Sequence, residues 1–100
     1  MPFIQEPREY DKTILSDLQG AWSILRDAVI ASAGFEGWDR VIFHIDEAMS
    51  WEVVRNLRRM PPLVLIIRNI CMQGGAPEDV MEHIKYLNEL LKEVLSEFHN

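Results

Sequence analysis

"MPPLVLIIRNICMQGG", residues 60–75, decides how the rest of the chain is read. Two prolines lead into Leu63, Val64, Leu65, Ile66 and Ile67, five aliphatic residues with no polar face, and Gly74-Gly75 closes the stretch. Such a run has strand propensity, and periodicity alone does not separate a buried strand from a buried helix. A strand, however, must pair its backbone donors and acceptors with another strand, and the sequence offers no second candidate. Pro62 suits the first turn of a helix, where its missing N–H is not needed. The stretch therefore predicts a short helix over 62–73. A helix that is apolar all round must be surrounded. It is either the enclosed element of a bundle or an edge element covered by a second subunit, so a homodimer is expected, with Leu63, Ile66, Ile67 and Ile70 at its interface.

Outward from that helix the pattern is consistently helical. Ile14, Leu18, Trp22, Leu25 and Val29 follow steps of four, four, three and four, with Ala21, Ile24, Ala28 and Ala31 as a second strip beside them. This predicts a helix over about 11–33 with a wide apolar face, Asp11 or Thr13 as N-cap and Gly34 as its stop. Residues 1–10 hold two prolines and are read as an extended arm that Phe3 and Ile4 tack onto the body. After the turn "GFEG", Trp38, Ile42, Ile45, Met49, Val53, Leu57 and Met60 hold helical register, predicting one helix over 38–59, with Asp39 complementing its N-terminal dipole. Ser50 is the alternative, as the cap of a fresh helix at Trp51. Met60 precedes a proline, which disfavours the helical region and should end that helix. Pro77, Glu78 and Asp79 make a helical first turn, and Val80, Ile84, Leu87, Leu91, Val94 and Phe98 alternate four and three over 77–98. The fold class is all-α, a compact bundle or array of four helices in a single domain, 11–100.

Composition narrows the function classes. One hundred residues fit one domain whose modest core is easily supplemented by a partner. Sixteen acidic against ten basic residues give a net charge of −6, which disfavours direct nucleic-acid binding and an anionic membrane surface. The apolar runs are too short to span a bilayer, and the charged N-terminus does not resemble a secretory leader, so a cytoplasmic protein is expected. Cys71, the only cysteine, reads as a small buried hydrophobe between Ile70 and Met72.

Chemistry-bearing constellations are sparse. His44 and Glu47 share a helix face beside Asp46, but two ligands do not make a metal site, and the residues three before His44, His83 and His99 are Val41, Val80 and Ser96, not the Glu of carboxylate-bridged bundles. "GGAPED" resembles a phosphate cradle only until Glu78 and Asp79 are counted, since both repel an anion and no Walker lysine follows. The serines and Thr13 carry no nucleophile motif. Neither a catalytic residue nor a metal or other cofactor is expected.

What remains points to binding. Arg55, Arg58 and Arg59, with Arg68 beyond the prolines, form the one basic cluster; Trp51 lies off the seam of the second helix, as does Phe43. Trp22 and Trp38 lie on core faces. The expectation is a non-enzymatic module that binds or blocks another protein, with Trp51, Arg55, Arg58 and Arg59 as contacts. The alternative is an acidic inhibitor of a nucleic-acid-binding machine, a DNA mimic in the manner of small phage-borne anti-CRISPR-like proteins, using Glu82, Glu89, Glu93 and Glu97. An enzyme with an unrecognised site comes third.

Overall fold

A computed structural model describes residues 6–32, 34–54 and 56–98, with side-chain burial described between 15 and 97 except at 33 and 55. Among the described residues the chain forms four helices packed on one another and no strand: α1 (Glu6–Ala31), α2 (Trp38–Val53), α3 (Met60–Gly74) and α4 (Glu78–Phe98). Each helix has two neighbours. α1 packs most extensively on α4 and α2 on α3, α1 meets α2 less, and α3 and α4 touch least. The all-α bundle expected from the 60–75 stretch is the observed architecture.

α1 buries the expected seam: Leu18, Trp22, Leu25 and Val29 are fully enclosed, and Ala21 joins them, while the side chain of Ile14 lies outside the described residues. The second strip is not all core, because Ile24 is half-exposed. The helix starts earlier than its periodicity predicts. Glu6–Tyr10 are helical, so the extended arm does not reach residue 10, and Asp11 and Thr13 lie inside the helix instead of capping it. Pro7 fits this start because a first-turn proline gives up no intrahelical bond. Phe3 and Ile4 lie outside the described residues. The Trp22 indole Nε1–H is buried without an acceptor among the described residues, a cost of about 1–3 kcal/mol offset by the large ring it buries.

The second helix departs most from expectation. It ends at Val53 instead of running to residue 59. Ser50 Oγ donates to the Asp46 carbonyl at 3.1 Å, a back-bond that weakens helix continuation rather than a cap for a new helix. Asn56, at φ −101° and ψ 72°, has left the helical region, and its N–H donates to Trp51 O at 2.9 Å. The buried face is Val41, Ile45, Ala48 and Glu52, rotated from the predicted seam, so Val53 is 72 % exposed. A 3₁₀ turn, Leu57–Arg59, then carries the chain into α3. Leu57 and Met60 still reach the core, through that turn and not by continuous register. Met60 is helical at φ −79°, ψ −41° and opens α3, with Pro61 and Pro62 in the donor-free first turn.

The far end of α3 is held by backbone. Gly75 takes the left-handed conformation at φ 74° and closes the helix with its N–H on Cys71 O. Glu36 N–H donates to Gly74 O at 3.3 Å, which lays the α1–α2 turn across the end of α3. A Cβ on Gly74 would run into the Glu36 carbonyl oxygen, and one on Gly37 would come 2.6 Å from Ile70 Cγ2. Glycine is required at both places by this close approach. α4 matches its sequence reading almost to the residue, burying Val80, Ile84, Leu87, Leu91 and Val94.

Candidate interaction surface

α3 has more apolar surface than the bundle consumes. Met60, Leu63, Val64, Ile67 and Cys71 point inward, whereas Leu65, Ile66 and Met72 remain 54 %, 40 % and 57 % exposed. Two faces of one helix are therefore apolar, and only one is covered. The four residues expected at a subunit interface separate accordingly: Leu63 and Ile67 belong to the core, Ile70 is half-buried beside Gly37, and Ile66 faces out.

Between α3 and α4 lies a groove of about 510 Å³. Val64 and Ile84 form its buried floor. Pro61, Leu65 and Arg68 rise on the α3 side, and Met81, Glu82, Lys85 and Asn88 on the α4 side. Along α3, Pro61, Leu65, Arg68 and Met72 are all exposed and follow steps of four, three and four, the spacing of a packing seam. Among the described residues neither Arg68 nor Lys85 is held in an ion pair, whereas Arg26 pairs with Asp46 at 2.8 Å between α1 and α2, and His44 Nδ1 lies 3.3 Å from Glu47 Oε1 within α2. The Asp46 hydrogen bond raises the pKa of Arg26, its charge adding to the effect.

The other sequence-selected residues are spread over the molecule. Trp51 is half-buried against the core, and the Arg59 guanidinium sits 5.0 Å from its ring centroid. These two expected contacts thus satisfy each other in a cation–π pair. Arg58 is exposed on the 3₁₀ turn, and Arg55 lies outside the described residues. Phe43 stands 66 % exposed, edge-on to the His44 ring at 5.4 Å. Glu82, Glu89, Glu93 and Glu97 are all exposed on α4. Steps of seven and four return to nearly the same angle of a helix, so the four form one stripe.

His44, Asp46 and Glu47 do not converge, because Asp46 is turned to Arg26 while Glu47 meets His44. Among the described residues no group of three potential ligands is placed to hold a metal. No helix there is long and apolar enough to cross a membrane. Burial pushes the Cys71 thiol up to about 11, so it stays protonated and unreactive at neutral pH. The sequence reading missed the outer seam of α3 and the role of Lys85 on the groove. The signal was present in the 61/65/68/72 spacing, but it is hidden by the neighbouring inward seam.

Compared with protein-family models, curated proteins and solved structures, the chain matches none of them.

Proposed function

We propose that this domain is a non-enzymatic interaction module that binds or blocks another protein through the outer face of α3. One observation carries the reading: an exposed apolar face, Leu65, Ile66 and Met72, on the same helix that supplies a full inward face. Burying a half-exposed leucine or methionine on association gains on the order of 1 kcal/mol each, and the fold itself gains nothing from leaving them in water. Trp51 and Arg59 are already stacked on each other, so the reading places the centre of the interface on α3 and not on that pair.

The experiment is site-specific photo-crosslinking in cells that express the protein, with a photoreactive residue at position 65, at 43 or at 24. All three positions are exposed apolar sites. Adducts concentrated at position 65 support the reading. Adducts formed from 43 or 24 and not from 65 overturn it. The adduct mass also tells a second copy of the chain from a different protein, which tests the homodimer expected from the sequence.

A second reading is supported by α4, whose four glutamates occupy one exposed stripe. There the domain would be an acidic inhibitor seated in the nucleic-acid groove of its target. Salt separates the two readings. Partner binding through the glutamates weakens steeply between low and physiological ionic strength, whereas binding through Leu65 and Met72 changes little.

A further inference from the structure

We infer that the α3–α4 groove receives one amphipathic helix of a partner protein, with acidic residues flanking its apolar stripe; the inference rests on the interaction-module reading and names the partner's chemistry. The floor, Val64 and Ile84, and the wall residues Leu65 and Met81 are apolar, which selects an apolar stripe. Pro61, Leu65 and Arg68 on the α3 wall repeat at four and three, and so do Met81, Lys85 and Asn88 on the α4 wall. Two walls with seam spacing on adjacent helices are what a further helix packs into, its side chains entering between theirs. Residues 61–68 and 81–88 each extend about 10 Å along their helix axes, enough for two turns of such a ligand.

Charge decides which helix. The chain carries a net charge of −6, yet this groove has Arg68 on one wall and Lys85 on the other against the single acid Glu82. Neither cation has an ion-pair partner within the described residues, so both are open to carboxylates of a ligand. A second copy of the chain fits less well. Two-fold pairing through this groove would bring together two patches with two cations and one acid each, leaving cations in excess. The outward stripe of α4, which has the acids to match them, offers among the described residues Tyr86 as its one exposed large apolar group.

The test uses a stapled helical peptide of about 14 residues, four turns, with leucines at alternating three and four spacing and glutamates on either side. Binding is followed by fluorescence anisotropy and by amide shifts of the full-length protein. The expected result is saturable binding with shifts confined to 61–72 and 81–88. It should weaken about tenfold or more in Arg68→Glu, Lys85→Glu and Leu65→Gln, each checked for unchanged helicity. A peptide with lysines in place of the glutamates should bind at least tenfold more weakly. Equal binding of the two peptides overturns the charge assignment, and shifts elsewhere, or none, overturn the groove. If laurate, a small apolar acid, gives the same shifts and displaces the peptide, the groove is a lipid-type site and the helix inference fails. Photo-adducts at position 65 without peptide binding would sink this inference alone and leave the interaction-module reading standing.

Discussion

α3 and α4 line one groove from opposite sides, but only α4 divides its residues cleanly between core and water. α4 turns Val80, Ile84, Leu87, Leu91 and Val94 inward and Glu82, Glu89, Glu93 and Glu97 outward. α3 turns Met60, Leu63, Val64, Ile67 and Cys71 inward and still presents Leu65, Ile66 and Met72 to solvent. A bundle needs one apolar stripe per helix. The second stripe of α3 is apolar surface that the fold leaves in water, and it is the surface on which the proposed binding role stands. The same difference explains why stability and binding should come apart on α3 and not on α4.

The largest effect tests the inner face. Ile67 is 1 % exposed at the centre of the core, so Ile67→Ala should cost about 2–5 kcal/mol in denaturant unfolding, transfer and cavity together. A cost below about 1 kcal/mol would mean that α3 is only lightly packed and that its two faces do not differ.

Next comes the end of α3, where the contact is backbone on backbone. Gly74→Ala forces a methyl against the Glu36 carbonyl and should cost about 1–3 kcal/mol, as overpacking does. The turn between α1 and α2 must then lift from α3, so loss of amide-exchange protection at Glu36 would accompany the loss of stability. A silent Gly74→Ala would show that α3 is not pinned there, and its outer face would no longer be presented at a fixed angle.

How much of this was legible depends on where the sequence carries phase. α4 was readable end to end because polar and apolar residues alternate at helical spacing from Pro77 onward. The Gly74-Gly75 stop was readable because few other residues close a helix that way. The start of α1 was not, since Pro7 is equally at home in an arm and in a first turn. The end of α2 was missed because Val53, Leu57 and Met60 continue the register through a break that local bonding makes, with Ser50 Oγ on the Asp46 carbonyl and Asn56 N–H on Trp51 O. The stretch 63–67 told its own type only by elimination. When every position is apolar, periodicity says that a helix is buried somewhere but not which side, so the division into Leu63, Val64, Ile67 and Leu65, Ile66 was hidden. Arg68 was visible as a charge. Its place on a groove wall depended on the angle between α3 and α4, which no local pattern contains.

A third effect is smaller and depends on pH. Cys71 on the inner face has its thiol pKa pushed from 9.0 to about 11 by burial. Above about pH 9 the unfolded chain releases this proton while the folded chain keeps it, so the unfolded state is favoured as pH rises from 9 towards 11. Stability should fall through that window with a slope of up to about 1.4 kcal/mol per pH unit from this group. The slope is read as the difference between the chain and Cys71→Ala, because tyrosine and lysine titrate nearby in pH. Equal slopes would place the thiol in contact with water, and the inner face of α3 would be as wet as the outer one.

The smallest effect is the most discriminating. Leu65→Gln keeps nearly all helix propensity while removing apolar character from the outer face. With Leu65 already 54 % exposed, the change should move unfolding free energy by less than about 0.5 kcal/mol, the range of ordinary surface substitutions. A cost above about 2 kcal/mol would mean that the groove closes over Leu65 in solution, making α3 the enclosed helix that its composition suggests and removing the surplus on which the binding proposal stands. If the cost is near zero, nothing within the chain uses this leucine. Binding lost in that variant would then be lost from a protein whose fold is intact, and the outer face of α3 would be the cause.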